Sequence, residues 1–221
     1  MRCAPAAPPD AGGDASSDGD AMADWIRNAG RILVMGDSIT VGYYGLVGGW
    51  RAGLTSALST AGVAHATVGP YSDAYGNHRG VSGICAYQQT SSVQTDCETY
   101  KPSIIVSASG ANDIGGGATA AQTIAELGEI IDWCRAGAPH AMIELQTVIV
   151  PQNNGIPSYY DRRDIFSELN GLLPALCVTY GVSLIDVGAP DTTDGLHPSS
   201  TGYASMATAI SSALLARIPG A

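Results

Sequence analysis

Two short motifs, far apart in the chain, contain a serine, an aspartate and a histidine, the residue types that activate a serine hydroxyl as a nucleophile. Ser38, in the motif GDS at 36–38, has a hydroxyl that becomes nucleophilic when a base removes its proton. Asp194 and His197, in the motif DGLHP at 194–198, are three residues apart, so one turn can hold both side chains. Asp194 then orients the imidazole through Nδ1 and leaves Nε2 facing outward. These are the parts of a Ser-His-Asp triad.

Two further motifs can supply hydrogen-bond donors to a negatively charged oxygen. Asn112, in GAND at 110–113, has a side-chain amide that can donate to an oxyanion. Gly83, in RGVSG at 79–83, allows a backbone N–H to approach a substrate closely. With the N–H of Ser38, these groups form a predicted oxyanion hole. Taken alone, each of the four motifs is more typical of a turn or a helix cap than of a catalytic site. Their occurrence together favours catalysis.

The elements that must position these motifs alternate between strand and helix. Continuous apolar runs predict strands at 31–35, 64–68, 103–108, 141–150 and 183–187. Amphipathic segments predict helices at 50–61, 119–135, 161–180 and 199–218. This pattern indicates a three-layer α/β/α sandwich, flavodoxin-like, with a five-stranded parallel sheet. In such sheets a site lies at the carboxyl ends of the strands, and each motif follows a different predicted strand.

Together the four motifs resemble those of the SGNH (GDSL-type) hydrolase superfamily, over residues 30–218. The resemblance implies a carboxylic ester hydrolase with the SGNH hydrolase fold. It also implies Ser38 as nucleophile, His197 as general base and acid, and Asp194 as the orienting carboxylate. The implied oxyanion hole consists of the Ser38 and Gly83 N–H groups and the Asn112 side chain.

A finer resemblance concerns the substrate. The segments GGWR at 48–51 and HRG at 78–80 are similar to those of carbohydrate esterase family 3. Those enzymes remove acetyl groups from xylan and related glycans, so the resemblance implies an acetylated glycan as the ester substrate. A broad short-chain arylesterase, a lysophospholipase or a thioesterase would use the same triad, and the intervening loops carry no motif that separates these activities.

Three further side chains are candidate substrate contacts: His78, Tyr43 and Tyr159. Aromatic and polar groups suit a glycan, although polar loops contain the same residue types without function. His78 is also the competitor of His197 as base. Its nearest carboxylate, Asp73, is five residues away in a predicted loop, a spacing that does not fix the two groups together. We therefore expect His78 to form a wall of the site.

Composition excludes several other classes of function. The net charge of -10 disfavours nucleic acid and anionic membrane surfaces as partners. No apolar run is long enough for a transmembrane segment. No GxGxxG or P-loop motif follows a strand, which argues against a nucleotide- or flavin-binding module. Four complete motifs argue against a glycan-binding domain with an inactive site. We expect no organic cofactor, and no Cys/His spacing matches a metal site.

The N-terminal residues and the cysteines bear on the cellular location of the protein. Residues 1–24 are predicted to be a disordered acidic linker rich in Ala, Pro, Gly and Asp, ahead of one esterase domain at 25–221. Cys3 before this polar segment is typical of a lipid-anchored bacterial lipoprotein, and the alternative is a start-site artefact.

The other four cysteines allow three pairings, of which Cys85–Cys97 with Cys134–Cys177 is preferred. Buried free thiols are the alternative. Two disulfides would indicate an oxidising compartment. We therefore expect an extracytoplasmic protein, secreted or tethered to the cell surface.

Overall fold

The computed structural model describes residues 30–89, 91–152 and 156–218. The predicted linker at 1–24 and the predicted lipid anchor at Cys3 lie outside these residues. Seven strands occur within the described residues: β1 (Arg31–Gly36), β2 (Ala66–Val68), β3 (Tyr71–Asp73), β4 (Gly76–Gly80), β5 (Ile104–Ala108), β6 (Met142–Gln146) and β7 (Ser183–Ile185).

The strands form one mostly parallel sheet in the order β3-β4-β1-β5-β6-β7. β1 lies at its centre, and one edge of β1 is shared by two partners. Residues 31–33 pair with β2, whereas Met35 and Gly36 pair with β4. The other edge of β1 pairs with β5 along its length. Among the seven described strands, β3 and β4 are the one antiparallel pair.

Helices cover both faces of the sheet. Within the described part of the chain they are α1 (Ser38–Val41), α2 (Gly49–Thr60), α3 (Ser91–Tyr100), α4 (Ala111–Gly115), α5 (Ala120–Gly137), α6 (Pro157–Tyr160), α7 (Arg163–Tyr180) and α8 (Ser200–Leu215). α2 and α8 pack on one face, and α3, α5 and α7 pack on the other. No helix among these residues has both the length and the apolar character needed to cross a membrane.

The position of β1 between two helical layers explains why its sequence is continuously apolar. Ile32 and Val34 pack against the α2–α8 layer, and Leu33 and Met35 pack against the opposite layer. Because successive side chains of a strand point to opposite faces, a strand covered on both faces needs apolar residues at every position. The predicted three-layer sandwich is confirmed. The strand count of five was wrong, because the β3–β4 hairpin extends the sheet beyond β1.

The sequence interpretation lacked the hairpin, the three helices of four or five residues (α1, α4 and α6) and the ten-residue helix α3. The hairpin and α3 were missed for the same physical reason. Residues 71–80 are mostly polar and lack the apolar run that marks the buried strands. In α3, only Val93 and Cys97 are buried, so its amphipathic pattern is too sparse to predict a helix.

The two predicted disulfides are not formed. Within the described residues all four cysteines are thiols. Cys97 of α3 and Cys134 of α5 lie together between their helices, and both are fully buried. The hydrogen bond with the Cys97 thiol, together with burial, raises the pKa of the Cys134 thiol well above its ordinary value. The alternative of buried thiols holds for Cys97, Cys134 and Cys177, and the extracytoplasmic location stays a prediction.

Candidate active site

The site lies at the carboxyl edge of the sheet, where β1 ends at Gly36. This residue has φ +148°, and a Cβ atom there would lie 2.4 Å from the carbonyl oxygen of Ala108, so the position requires glycine. Asp37 then caps α1, its Oδ1 accepting the N–H of Ile39 at 2.9 Å. The sharp change from strand to helix makes Ser38 the first residue of α1, above the sheet edge.

Ser38 meets the residues predicted to be its partners. Its Oγ lies 3.0 Å from Nε2 of His197, and Nδ1 of His197 lies 2.7 Å from Oδ2 of Asp194. A carboxylate can only accept, so Nδ1 carries the proton and Nε2 is the acceptor for the Ser38 hydroxyl. The structure thus brings together three side chains from the two ends of the described chain in the geometry of a triad.

Backbone donors fix the Asp194 carboxylate. Its Oδ1 accepts the N–H groups of Leu196 at 3.0 Å and His197 at 2.7 Å. Burial opposes ionisation here, but the hydrogen bonds from His197 and Leu196 outweigh it and lower the pKa of Asp194 below its ordinary value. The residue is therefore a carboxylate at neutral pH.

Asn112, at the start of α4, lies beside the nucleophile segment. Its Nδ2 donates to the carbonyl of Ile84 at 2.9 Å and lies 3.4 Å from Oδ2 of Asp37. One contact reaches the residue after Gly83, and the other reaches the residue before Ser38. The three predicted oxyanion donors therefore come from loops that Asn112 holds together. Gly83 itself has φ +78°, a conformation that favours glycine.

Two buried polar groups support these loops from below. Arg79 at the end of β4 donates to Oε1 of Gln89 at 3.1 Å, and Nε2 of Gln89 donates to Oγ of Ser109 at 2.8 Å. Gln89 is fully buried. It connects the strand that precedes Gly83 with the loop that precedes Asn112. Sequence reasoning missed this bridge, because no local pattern relates a loop glutamine to two strand ends.

Asp37 is the most perturbed acid at the site. Burial raises its pKa to about 6, although the N–H of Ile39 and the nearby His197 favour the carboxylate. The charge of Asp113 acts in the same direction as burial. Asp113 also accepts the N–H of Ala86 at 2.7 Å, which anchors the segment after Gly83. No group of three His, Cys, Asp or Glu side chains that could hold a metal ion occurs in the described ranges.

His78 is held in place by groups of the β3–β4 hairpin. Its Nδ1 accepts the N–H of Gly80 at 3.0 Å, and its Nε2 lies 3.6 Å from Oδ2 of Asp73. The hairpin brings this carboxylate close, contrary to the expectation from spacing. Burial and the charge of Arg51 lower the pKa of His78. Since both ring nitrogens face groups of the hairpin, His78 supports that hairpin and has no nitrogen left for Ser38 or a substrate.

The two candidate tyrosines lie next to the site in different ways. The ring of Tyr43 is stacked on the imidazole of His197, with a centroid distance of 3.9 Å and an interplanar angle of 14°. Tyr43 is partly exposed, so it remains a candidate substrate contact. Tyr159, in α6, donates its hydroxyl to Oδ1 of Asn112 at 2.7 Å. Tyr159 was predicted as a substrate contact, and that contact stays a prediction.

A model of the GDSL-like Lipase/Acylhydrolase family matches residues 34–205. No curated protein matches the chain. Among solved structures, a carbohydrate esterase family 3 from Talaromyces cellulolyticus is similar, with a TM-score of 0.75, 21% identity, and coverage of 87% of this chain and 99% of that chain.

Two further solved structures have the same fold. A Clostridium thermocellum family 3 carbohydrate esterase has a TM-score of 0.68 and 23% identity, covering 83% of this chain and 98% of that chain. A putative GDSL-like lipase from Parabacteroides merdae has a TM-score of 0.67 and 19% identity, covering 82% of this chain and 93% of that chain.

Proposed function

Because this chain belongs to the GDSL-like lipase/acylhydrolase family and is a carboxylic ester hydrolase, we propose that it deacetylates a carbohydrate through an acyl-enzyme on Ser38. The observation that carries the proposal is the 3.0 Å contact between Oγ of Ser38 and Nε2 of His197, with Asp194 on the far side of the ring. This geometry supplies a nucleophile, its base and the group that orients the base.

In the first step, Oγ of Ser38 attacks the ester carbonyl carbon while Nε2 of His197 takes the hydroxyl proton. The carbonyl π electrons move to oxygen, and the resulting oxyanion accepts hydrogen bonds from the N–H groups of Ser38 and Gly83 and from the Asn112 amide, which gives up its long 3.4 Å contact with Asp37. The tetrahedral intermediate then collapses. The bond to the alcohol breaks, and the alcohol leaves with the proton from His197.

In the second step, water repeats the sequence. His197 takes a proton from the water as its oxygen attacks the acyl carbon, and the same donors hold the oxyanion. Collapse of the intermediate releases acetate and returns the proton to Oγ of Ser38. Throughout, the Asp194 carboxylate stabilises the imidazolium that forms twice in each cycle. Every bond made or broken involves the ester, water or a side chain of this protein.

The carbohydrate part of the proposal has separate support. Two of the similar structures are carbohydrate esterases of family 3. A surface groove of about 580 Å³ lies between α2, the first half of α8, the loop after α1 and the hairpin tip, beside the triad and not lined by it. Tyr75 lines this groove, and Tyr43 and Tyr44 lie on the same loop as other lining residues. Partly exposed aromatic faces beside an open groove suit the flat apolar faces of sugar rings.

Acetate release from a panel of acetylated polysaccharides, including acetylated xylan, tests the proposal. We expect release by the native protein and none by Ser38→Ala. p-Nitrophenyl esters of increasing chain length, a lysophospholipid and an acyl thioester are assayed in parallel. Faster turnover of any of these than of every acetylated glycan would overturn the carbohydrate assignment and identify an arylesterase, lysophospholipase or thioesterase.

The acyl-enzyme itself has an independent test. A fluorophosphonate probe should label the native protein at Ser38 and should not label Ser38→Ala. If Ser38→Ala keeps its esterase activity, the proposed nucleophile is wrong. If the native protein neither turns over esters nor takes up the probe, the chain has an inactive site and the catalytic proposal fails.

A further inference from the structure

The loop between α1 and α2 lies directly on the His197–Asp194 pair. The hydroxyl of Tyr44 donates to Oδ2 of Asp194 at 3.1 Å, the same oxygen that accepts Nδ1–H of His197. The neighbouring Tyr43 covers one face of the imidazole. The Tyr44 ring stands edge-on to that imidazole, with a centroid distance of 6.2 Å and an interplanar angle of 87°. Two consecutive side chains thus contact both members of the pair.

The loop is tightly folded around these two residues. Tyr44 has φ 53°, in the left-handed region that a tyrosine rarely adopts. The N–H of Leu46 donates to the carbonyl of Tyr43 at 3.0 Å, and the N–H of Gly48 donates to that of Val41 at 2.9 Å. A Cβ atom on Gly42 would lie 2.0 Å from the carbonyl oxygen of Leu46, so the turn cannot relax around a larger residue. Such backbone strain persists where the surrounding structure fixes it, and it concentrates at functional sites.

We propose that Tyr44 is a positioning residue of the catalytic machinery. Together with Tyr43, which lies in the same segment of chain as Ser38, it keeps the Asp194–His197 pair aligned with the Ser38 hydroxyl. This inference rests on the proposed role of Ser38, His197 and Asp194. Tyr44 completes the hydrogen bonding of the Asp194 carboxylate. Oδ1 accepts two backbone N–H groups, and Oδ2 accepts His197 and Tyr44.

The two tyrosines restrain different motions of the pair. With donors on both oxygens the Asp194 carboxylate cannot rotate away from Nδ1 of His197. The stacked ring of Tyr43 holds the plane of the imidazole, so that Nε2 keeps its direction toward Ser38. The hydrogen bond to Asp194 raises the pKa of the Tyr44 hydroxyl, which therefore keeps its proton and remains a donor. Since both tyrosines follow Ser38 within six residues, a shift of the nucleophile segment moves the base with it.

Tyr44→Phe tests the inference, because it keeps the ring and removes only the donor. Hydrolysis of p-nitrophenyl acetate and the rate of fluorophosphonate labelling depend on Ser38 and its base without requiring a glycan. We expect kcat to fall about tenfold, the effect of one hydrogen bond, with KM within about twofold of the native value. The labelling rate should fall in the same proportion. Tyr43→Leu, which keeps apolar bulk and loses the flat ring, should also lower kcat and leave KM unchanged.

Tyr100→Phe is the matched control, since Tyr100 ends α3 at the edge of the sheet opposite the triad. It should leave kcat unchanged. An unchanged kcat in Tyr44→Phe overturns the inference, and so does a raised KM at constant kcat, which would make Tyr44 a substrate contact. A fall in kcat that only accompanies a lowered Tm also overturns it. These outcomes overturn only the role of Tyr44. Failure of the proposed function is recognised separately, because Ser38→Ala would then keep its esterase activity.

Discussion

The hydroxyl of Tyr159 donates to Oδ1 of Asn112 at 2.7 Å, and this bond determines which way the Asn112 amide points. With Oδ1 occupied, Nδ2 faces Ile84 and Asp37, the neighbours of Gly83 and Ser38. Tyr159 therefore orients a proposed oxyanion donor from outside the reacting groups. This positioning role is an alternative to the substrate contact that its residue type suggested.

Tyr159→Phe separates these two roles. Loss of the hydroxyl frees the Asn112 amide to rotate, so we expect kcat on p-nitrophenyl acetate to fall about tenfold while KM stays constant. Steady-state kinetics measure both quantities. A rise in KM with constant kcat would instead support the substrate contact. Tyr160→Phe, in the next position of the same short helix, is the matched control and should behave like the native protein.

Asn112→Ala removes the proposed donor itself. We expect kcat to fall by about 10²–10³, because the amide stabilises charge that develops only in the transition state. The measurement is kcat on p-nitrophenyl acetate, with Tm as a check on folding. Asn77→Ala, at an exposed position of β4, controls for loss of an asparagine and should leave kcat unchanged. Native-like kcat in Asn112→Ala would exclude the side chain from the oxyanion hole.

Glu144 of β6 makes stability depend on pH. It is almost completely buried, and burial raises its pKa from 4.5 to about 7 despite Arg217, whose Nη1 lies 3.2 Å from its Oε1. Because the folded-state pKa is above the unfolded one, folding takes up a proton between these values. The free energy of unfolding therefore falls as pH rises from about 4.5 to 7.

Glu144→Gln removes this dependence. At pH 8 the variant should be more stable than the native protein by up to about 3 kcal/mol, and at pH 4 the two should differ much less. Urea unfolding at both pH values measures the difference. Glu98→Gln, at an exposed position of α3, should change stability little at either pH. Equal effects of Glu144→Gln at pH 4 and pH 8 would contradict the raised pKa.

Gln89→Ala breaks the bridge beneath the proposed oxyanion loops. The change leaves Arg79 and Ser109 each short of a buried partner, so we expect a loss of about 1–3 kcal/mol in the free energy of unfolding. We also expect a lower kcat under conditions where the variant is fully folded, because the loops carrying Gly83 and Asn112 lose their connection. Gln94→Ala, on the surface side of α3, should show neither effect.

The fold class and the central residues of the site followed from local patterns. Apolar runs identified the central strands, since a strand buried on both faces must be apolar throughout. Polar motifs at the ends of those runs identified Ser38, His197 and Asp194. Parallel strands bring their carboxyl ends to one edge of the sheet, so residues far apart in the chain can be assigned to one site without knowing the strand order.

Other features depended on packing that no local pattern encodes. The contact of His78 with Asp73 requires the β3–β4 hairpin, whose polar sequence does not mark it as part of the sheet. The pairing of Cys97 with Cys134 requires the packing of α3 against α5, which spacing along the chain does not determine. The contact of Tyr44 with Asp194 depends on a single strained residue in a turn.

Ser38 and His197 are 159 positions apart in the chain, and this distance has a consequence for experiments on folding. Neither half of the chain contains a nucleophile together with its base, so esterase turnover requires the first strand and the last helical segment to be docked at once. Esterase turnover would then measure how much of the protein has completed this docking. Two separately expressed fragments, divided in the polar segment after β6, would be inactive alone, and recovery of p-nitrophenyl acetate hydrolysis on mixing would measure their reassociation.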